Sequence, residues 1–101
     1  MEQSVYTLGV WRVKPGKEAE FIEAWKGLGQ LFSHLPQPPG GKGTLVQSLS
    51  DPLLFYSFGE WSSMEAIQAM RKDANAQEGI QKVTELCTEA TPGSFRVVAE
   101  V

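Results

Sequence analysis

The 101-residue chain predicts an α+β domain in the order β-α-β-β-α-β, with four antiparallel strands and its helices on one face of the sheet. Three observations carry this. An opening segment, Val5–Val13, is rich in β-branched and aromatic residues and stops at Lys14-Pro15-Gly16. A long amphipathic helical period follows it. Two more strand-like segments are then joined by only Ser50-Asp51-Pro52, a connection that suits an antiparallel hairpin.

Each later element has its own signature. Over 17–35, Phe21, Trp25, Leu28, Phe32 and Leu35 recur at steps of four, three, four and three, while Lys17, Glu18, Glu20, Glu23 and Lys26 occupy other faces. Gly27 and Gly29 each weaken that helix by about 1 kcal/mol relative to Ala, which implies a close packing contact or a bend. Pro36, Pro38, Pro39, Gly40, Gly41 and Gly43 predict the longest loop. Strands are expected over 44–49 and 53–61. Ser62 or Ser63 then caps a second helical region in two pieces, one carrying Met64, Ile67 and Met70 and the other Ile80, Val83 and Cys87, with a break at 73–75. Pro92-Gly93 ends it, and 95–101 reads as the last strand. The order is the ferredoxin-like one.

Length and composition fit one domain over 1–101: 42% of the residues are hydrophobic and 21% charged, enough for a single packed core. Nine Lys and Arg against twelve Asp and Glu give a net charge of −3, so no broad basic surface is available for nucleic acid or an anionic membrane. Cys87 is the single cysteine and has no disulfide partner within the chain. The first residues lack a basic start and apolar run, and no hydrophobic stretch approaches the ~20 residues that span a bilayer. A cytoplasmic protein is expected.

The strands are apolar on both parities. Tyr6, Leu8 and Val10 share one face of the first strand, yet Val5, Trp11 and Val13 on the other face are also apolar; Leu54, Tyr56 and Phe58 likewise oppose Phe55 and Trp61. Helices cover one face only, so the other is expected to meet a second copy in a homodimer. On the helix-side parity, Thr7, Gly9, Ser57 and Gly59 are small, and Trp11, Phe55 and Trp61 border them. Missing volume walled by aromatics suits a flat organic molecule, unless helix residues such as Trp25 and Phe32 fill it.

Other candidate chemistry is poorly supported. Gly40-Gly41-Lys42-Gly43-Thr44 lacks the spacing and following helix of a phosphate loop. His34 is the only imidazole, which excludes a multi-histidine metal site within one chain. Cys87 sits among apolar residues as a small hydrophobe would, and no inward pair of carboxylates is apparent. Arg12 is expected to pair with Glu60 or Glu100 across the sheet.

Val10-Trp11-Arg12-Val13-Lys14-Pro15-Gly16-Lys17-Glu18-Ala19-Glu20-Phe21 and Gly59-Glu60-Trp61-Ser62-Ser63-Met64-Glu65-Ala66 resemble the antibiotic biosynthesis monooxygenase domain family, in the dimeric α/β-barrel superfamily. The resemblance implies two ferredoxin-like protomers joined through their sheets, each with a pocket between sheet and helices. Some members oxygenate polycyclic aromatics without metal or flavin; others degrade haem or transform small metabolites. Haem-degrading members use an Asn on the first strand and a Trp and His around the second helix. Here Thr7 and Gly9 lie in that strand, and residues 62–90 contain neither Trp nor His. Where many members carry a His near the helical break, this chain has Asn75, an amide that orients an oxygen atom but is a poor base.

The resulting expectation is a cofactor-independent, monooxygenase-like enzyme for a small aromatic or quinone-type molecule, with Asn75, His34 and Trp61 as catalytic candidates. Thr7, Gly9, Trp11, Trp25, Phe55, Ser57 and Gly59 would line its pocket. The rival is a non-catalytic dimeric module that binds a small hydrophobic molecule.

Overall fold

The computed structural model describes residues 4–101. Its elements are β1 (Val5–Val13), α1 (Glu18–Phe32), β2 (Pro39–Gln47), β3 (Leu54–Trp61), α2 (Met64–Lys72), α3 (Ala74–Glu85) and β4 (Cys87–Arg96). The four strands form one antiparallel sheet in the order β2-β3-β1-β4. This is the ferredoxin-like α+β arrangement, with the second helical region in two pieces. Ser63 caps α2 by accepting from the Ala66 N–H at 3.1 Å, and Asp73 both ends α2 and caps α3, accepting from the Ala76 N–H at 2.9 Å.

Two strands differ from their sequence-based expectations. β2 begins at Pro39, inside the predicted loop, because its backbone pairs with β3 from Pro39 opposite Trp61 onward, with a register shift before Gly43. Glycines that signal a turn locally are here taken up as an irregularity in the β2–β3 pairing, since four residue steps from Pro39 to Gly43 lie against two from Trp61 to Gly59. β4 runs from Cys87 to Arg96, so Cys87 starts a strand opposite Val13 instead of ending a helix, and residues 97–101 are irregular. Pro92 sits within β4 because β4 is an edge strand, where a missing N–H need not break the ladder.

The core lies between the sheet and the helices. Trp11, Val13, Phe21, Leu28, Phe55 and Val83 form one buried cluster, and Trp61, Ala66, Ile67, Met70 and Ala76 a second. Phe32 and Ile80 pack against both. At the expected helix glycines, Gly27 and Gly29, a Cβ would meet nothing within 4 Å; the close approach is at Gly79 of α3, whose Cβ would come 2.9 Å from Leu28 Cδ1. On the opposite face of the sheet Leu8, Val46, Tyr56, Phe58 and Phe95 are exposed. No helix among the described residues is long and apolar enough to cross a membrane.

Candidate functional site

The register of β1 against β3 builds the helix-side surface. Thr7 lies opposite Gly59, Gly9 opposite Ser57, and Trp11 opposite Phe55, so these small and aromatic residues share one face. Trp11 leans back along its strand over Gly9. A Cβ at Gly9 would stand 2.6 Å from the indole Nε1 and 2.7 Å from Cε2 and Cζ2, so only glycine leaves room for the ring. The indole N–H donates to Ser57 Oγ, the residue opposite Gly9, at 2.9 Å within the core. The hollow inferred from the small residues is therefore occupied by Trp11 itself, one of its expected walls, and not by Trp25.

Trp61 repeats the arrangement on β3. Its indole N–H donates to Thr7 Oγ1 at 3.0 Å, and Thr7 lies opposite Gly59, two residues before Trp61. Underlying both is one five-residue pattern, hydroxyl, apolar, Gly, any residue, Trp, found at Thr7-Leu8-Gly9-Val10-Trp11 and again at Ser57-Phe58-Gly59-Glu60-Trp61. Antiparallel pairing brings each tryptophan's donor to the other copy's hydroxyl. The glycines differ in what they accommodate: Gly59 faces the backbone of β2, where a Cβ would lie 3.3 Å from Gly43 Cα. This duplicated pattern was the available sequence signal for the two indole–hydroxyl pairs.

The Trp61 end carries further polar groups. The Phe32 ring meets Trp61 edge to face at 5.4 Å between centroids. Opposite Thr7 on β4 stands Ser94, whose Oγ accepts from Arg71 Nη2 at the end of α2. Arg71 makes no ion pair among the described residues. Thr7, Trp61, Ser94 and Arg71 thus gather two hydroxyls, an indole N–H and a guanidinium at one end of the helix-side face. Arg71 and Ser94 were missed because their meeting depends on β4 being a strand at 94.

The remaining candidates lie elsewhere. Trp25 is half-buried on α1, near Gly43, and with Ile22, Lys26, Leu45, Gln47 and Phe55 lines an open groove of about 310 Å³ between α1 and the β2 edge. His34 is exposed in the turn after α1, and Asn75 is exposed in the first turn of α3. The structure does not bring either into the buried surface around the two indoles. Cys87 Sγ contacts the Val83 carbonyl at 3.5 Å, and burial pushes its thiol pKa up, which disfavours a thiolate. Among the described residues no cluster of three or more His, Cys, Asp or Glu is arranged to hold a metal ion. Arg12 pairs with Asp51 at 2.8 Å instead of with Glu60 or Glu100.

Comparison with known proteins gives a consistent placement. No curated protein matches the chain significantly. Among solved structures it is similar to a mutant of SnoaB, a cofactor-independent oxygenase from Streptomyces nogalater, with TM-score 0.86 at 17% identity over 99% of this chain and 98% of that one. It is also similar to a conserved protein from Methanosarcina mazei, with TM-score 0.75 at 20% identity over 93% and 92% of the two chains. These likenesses establish the fold. The sequence profile of antibiotic biosynthesis monooxygenases matches residues 4–82, most of the chain, and the chain therefore belongs to the antibiotic biosynthesis monooxygenase family.

Proposed function

We propose that the chain is a cofactor-independent monooxygenase acting on a small aromatic or quinone-type molecule at the Trp61 end of its helix-side face. Family membership supports oxygenation. The observation that carries the location is the convergence of Thr7, Ser94 and Arg71 beside the buried Trp61 indole, which sets a guanidinium and two hydroxyls at one end of that face as partners for a substrate oxygen. A phenol or its keto tautomer that loses a proton to solvent water spreads the negative charge onto such an oxygen, and fixed donors stabilise that anion. Arg71, exposed at the end of α2, supplies the charge. Oxidising a ring CH2 to a carbonyl with O2 releases one water, and the substrate provides all four electrons, so the overall reaction needs no external reductant. His34 and Asn75, both exposed, have no buried proton transfer in this scheme.

A second reading is favoured by one observation: among the described residues the only buried polar one is Ser57, which is neither acid nor base. The chain would then bind a small hydrophobic molecule without changing it. Oxygen uptake with a panel of quinols and hydroxyaromatics, compared with anaerobic binding of the same compounds, separates the two. Uptake that falls at least about tenfold in Arg71→Gln supports the oxygenase; binding without uptake by the intact protein sinks it.

The exposed apolar sheet face supports a homodimer assembled through the sheets, with Leu8 and Phe58 facing each other across β1 and β3 at its middle.

A further inference from the structure

Positive charge gathers where α2 ends against β4. Arg71 and Lys72 close the last turn of α2, and Arg71 reaches across to Ser94. β4 keeps its register with β1 from Ser94 to Arg96, with Thr7 opposite Ser94, Tyr6 opposite Phe95 and Val5 opposite Arg96. Strand alternation therefore puts Arg96 on the helix side with Ser94, about 7 Å further along the strand and within the reach of a long side chain. Both arginines are exposed. Arg12, Lys17, Lys26 and Lys82 each form an ion pair, whereas Arg71 and Arg96 form none among the described residues, in a chain whose net charge is −3.

Complementing the helix dipole accounts for a cation in the last turn of α2, and guarding a free sheet edge accounts for one on β4. Neither reason aims Arg71 at the stretch of β4 that carries Arg96. Two like charges brought to one face repel, and an anion held between them removes that cost. Ser94 Oγ accepts from Arg71, so its own proton is left to donate, and the Arg71 guanidinium has further N–H groups to offer. A carboxylate is held by donors of this kind at its edge and needs no enclosed cavity. We propose that Arg71, Ser94 and Arg96 form an oxyanion site for a carboxylate carried by the ligand, so that the molecule taken here is an aromatic acid and not a neutral ring. The proposal names the substrate class for the reading above and rests on it.

The test is anaerobic calorimetry at low salt with two probes that share one ring system, 1-naphthol and 1-hydroxy-2-naphthoate, on the full-length wild type and Arg96→Gln. Wild type is expected to bind the hydroxynaphthoate about tenfold more tightly than the naphthol, a preference that shrinks as salt is added. Arg96→Gln, a change at an exposed position, is expected to remove most of that preference and to alter naphthol binding little. Equal affinity for the two probes in the wild type, no binding of the hydroxynaphthoate, or equal weakening of both probes in Arg96→Gln overturns the proposal. Inorganic phosphate is titrated alone as well: phosphate binding that Arg96→Gln abolishes, without any preference between the two probes, assigns the site to free phosphate and overturns the substrate class. Oxygen uptake keeps this result apart from the reading it rests on. Uptake as fast with naphthol as with the hydroxynaphthoate sinks the aromatic-acid assignment and leaves the oxygenase, whereas carboxylate-selective binding without uptake sinks the oxygenase and leaves the oxyanion site.

Discussion

At the scale of single residues, the outcome turns on what lies across the sheet from each side chain. Arg12 shows this. The register that sets Tyr6 opposite Glu60 sets Arg12 opposite Leu54, beside the β2–β3 hairpin, so its reachable carboxylate is Asp51 and not Glu60. Asp51 accepts from Arg12 Nη1 at 2.8 Å and from the Leu53 N–H at 3.1 Å, and these bonds hold its carboxyl below the ordinary aspartate range. Because the folded value is the lower one, the stabilisation is complete above the unfolded aspartate value and disappears as pH falls through the folded value. In an NMR titration the Asp51 carboxyl is expected to have a midpoint below that of a free aspartate, and Arg12→Gln is expected to return it upward. An unchanged midpoint in Arg12→Gln would refute this account of the pair. The residues of the helix-side surface were legible as a set of small and aromatic positions, since alternation in strands is a property of the sequence. That Trp11 occupies the hollow was not, because both rotamer and hydrogen-bond partner depend on the neighbouring strand.

At the scale of elements, β1 and α1 were readable because their own residues carry the pattern: apolar on both faces in one, a three-four period in the other. β2 and β4 were not. Their sequences, Pro-Gly-Gly-Lys-Gly-Thr-Leu-Val-Gln and Cys-Thr-Glu-Ala-Thr-Pro-Gly-Ser-Phe-Arg, hold few apolar residues and several turn formers, and they are strands because β3 and β1 supply hydrogen-bond partners. Helix glycines allow a sharper test. Gly27 is exposed within α1 with open space where a side chain would start, so Gly27→Ala is expected to stabilise the protein by about 0.5–1 kcal/mol in urea denaturation. Gly79→Ala, whose new methyl would press on Leu28 Cδ1, is expected to lose most or all of that gain. Equal stabilisation by both substitutions would contradict the close approach of α1 and α3.

At the scale of the whole molecule, the sheet has one face closed by helices and one face rich in exposed Leu8, Val46, Tyr56, Phe58 and Phe95. The apolar parity that predicts this second face was plain in the strands, whereas the identity of its cover is a property of two chains. If copies meet through it, Phe58→Glu, placed opposite Leu8 in mid-face, brings an unpaired charge into the contact. Sedimentation at micromolar concentration is expected to find a dimer for the wild type and a monomer for Phe58→Glu. A monomeric, well-folded wild type would count against face-to-face pairing. Each of the two outer strands carries a proline: Pro39 at the start of β2 and Pro92 within β4. An incoming strand would find a donor missing at those places, which interrupts lateral growth and protects a sheet this rich in aromatics from stacking into fibres.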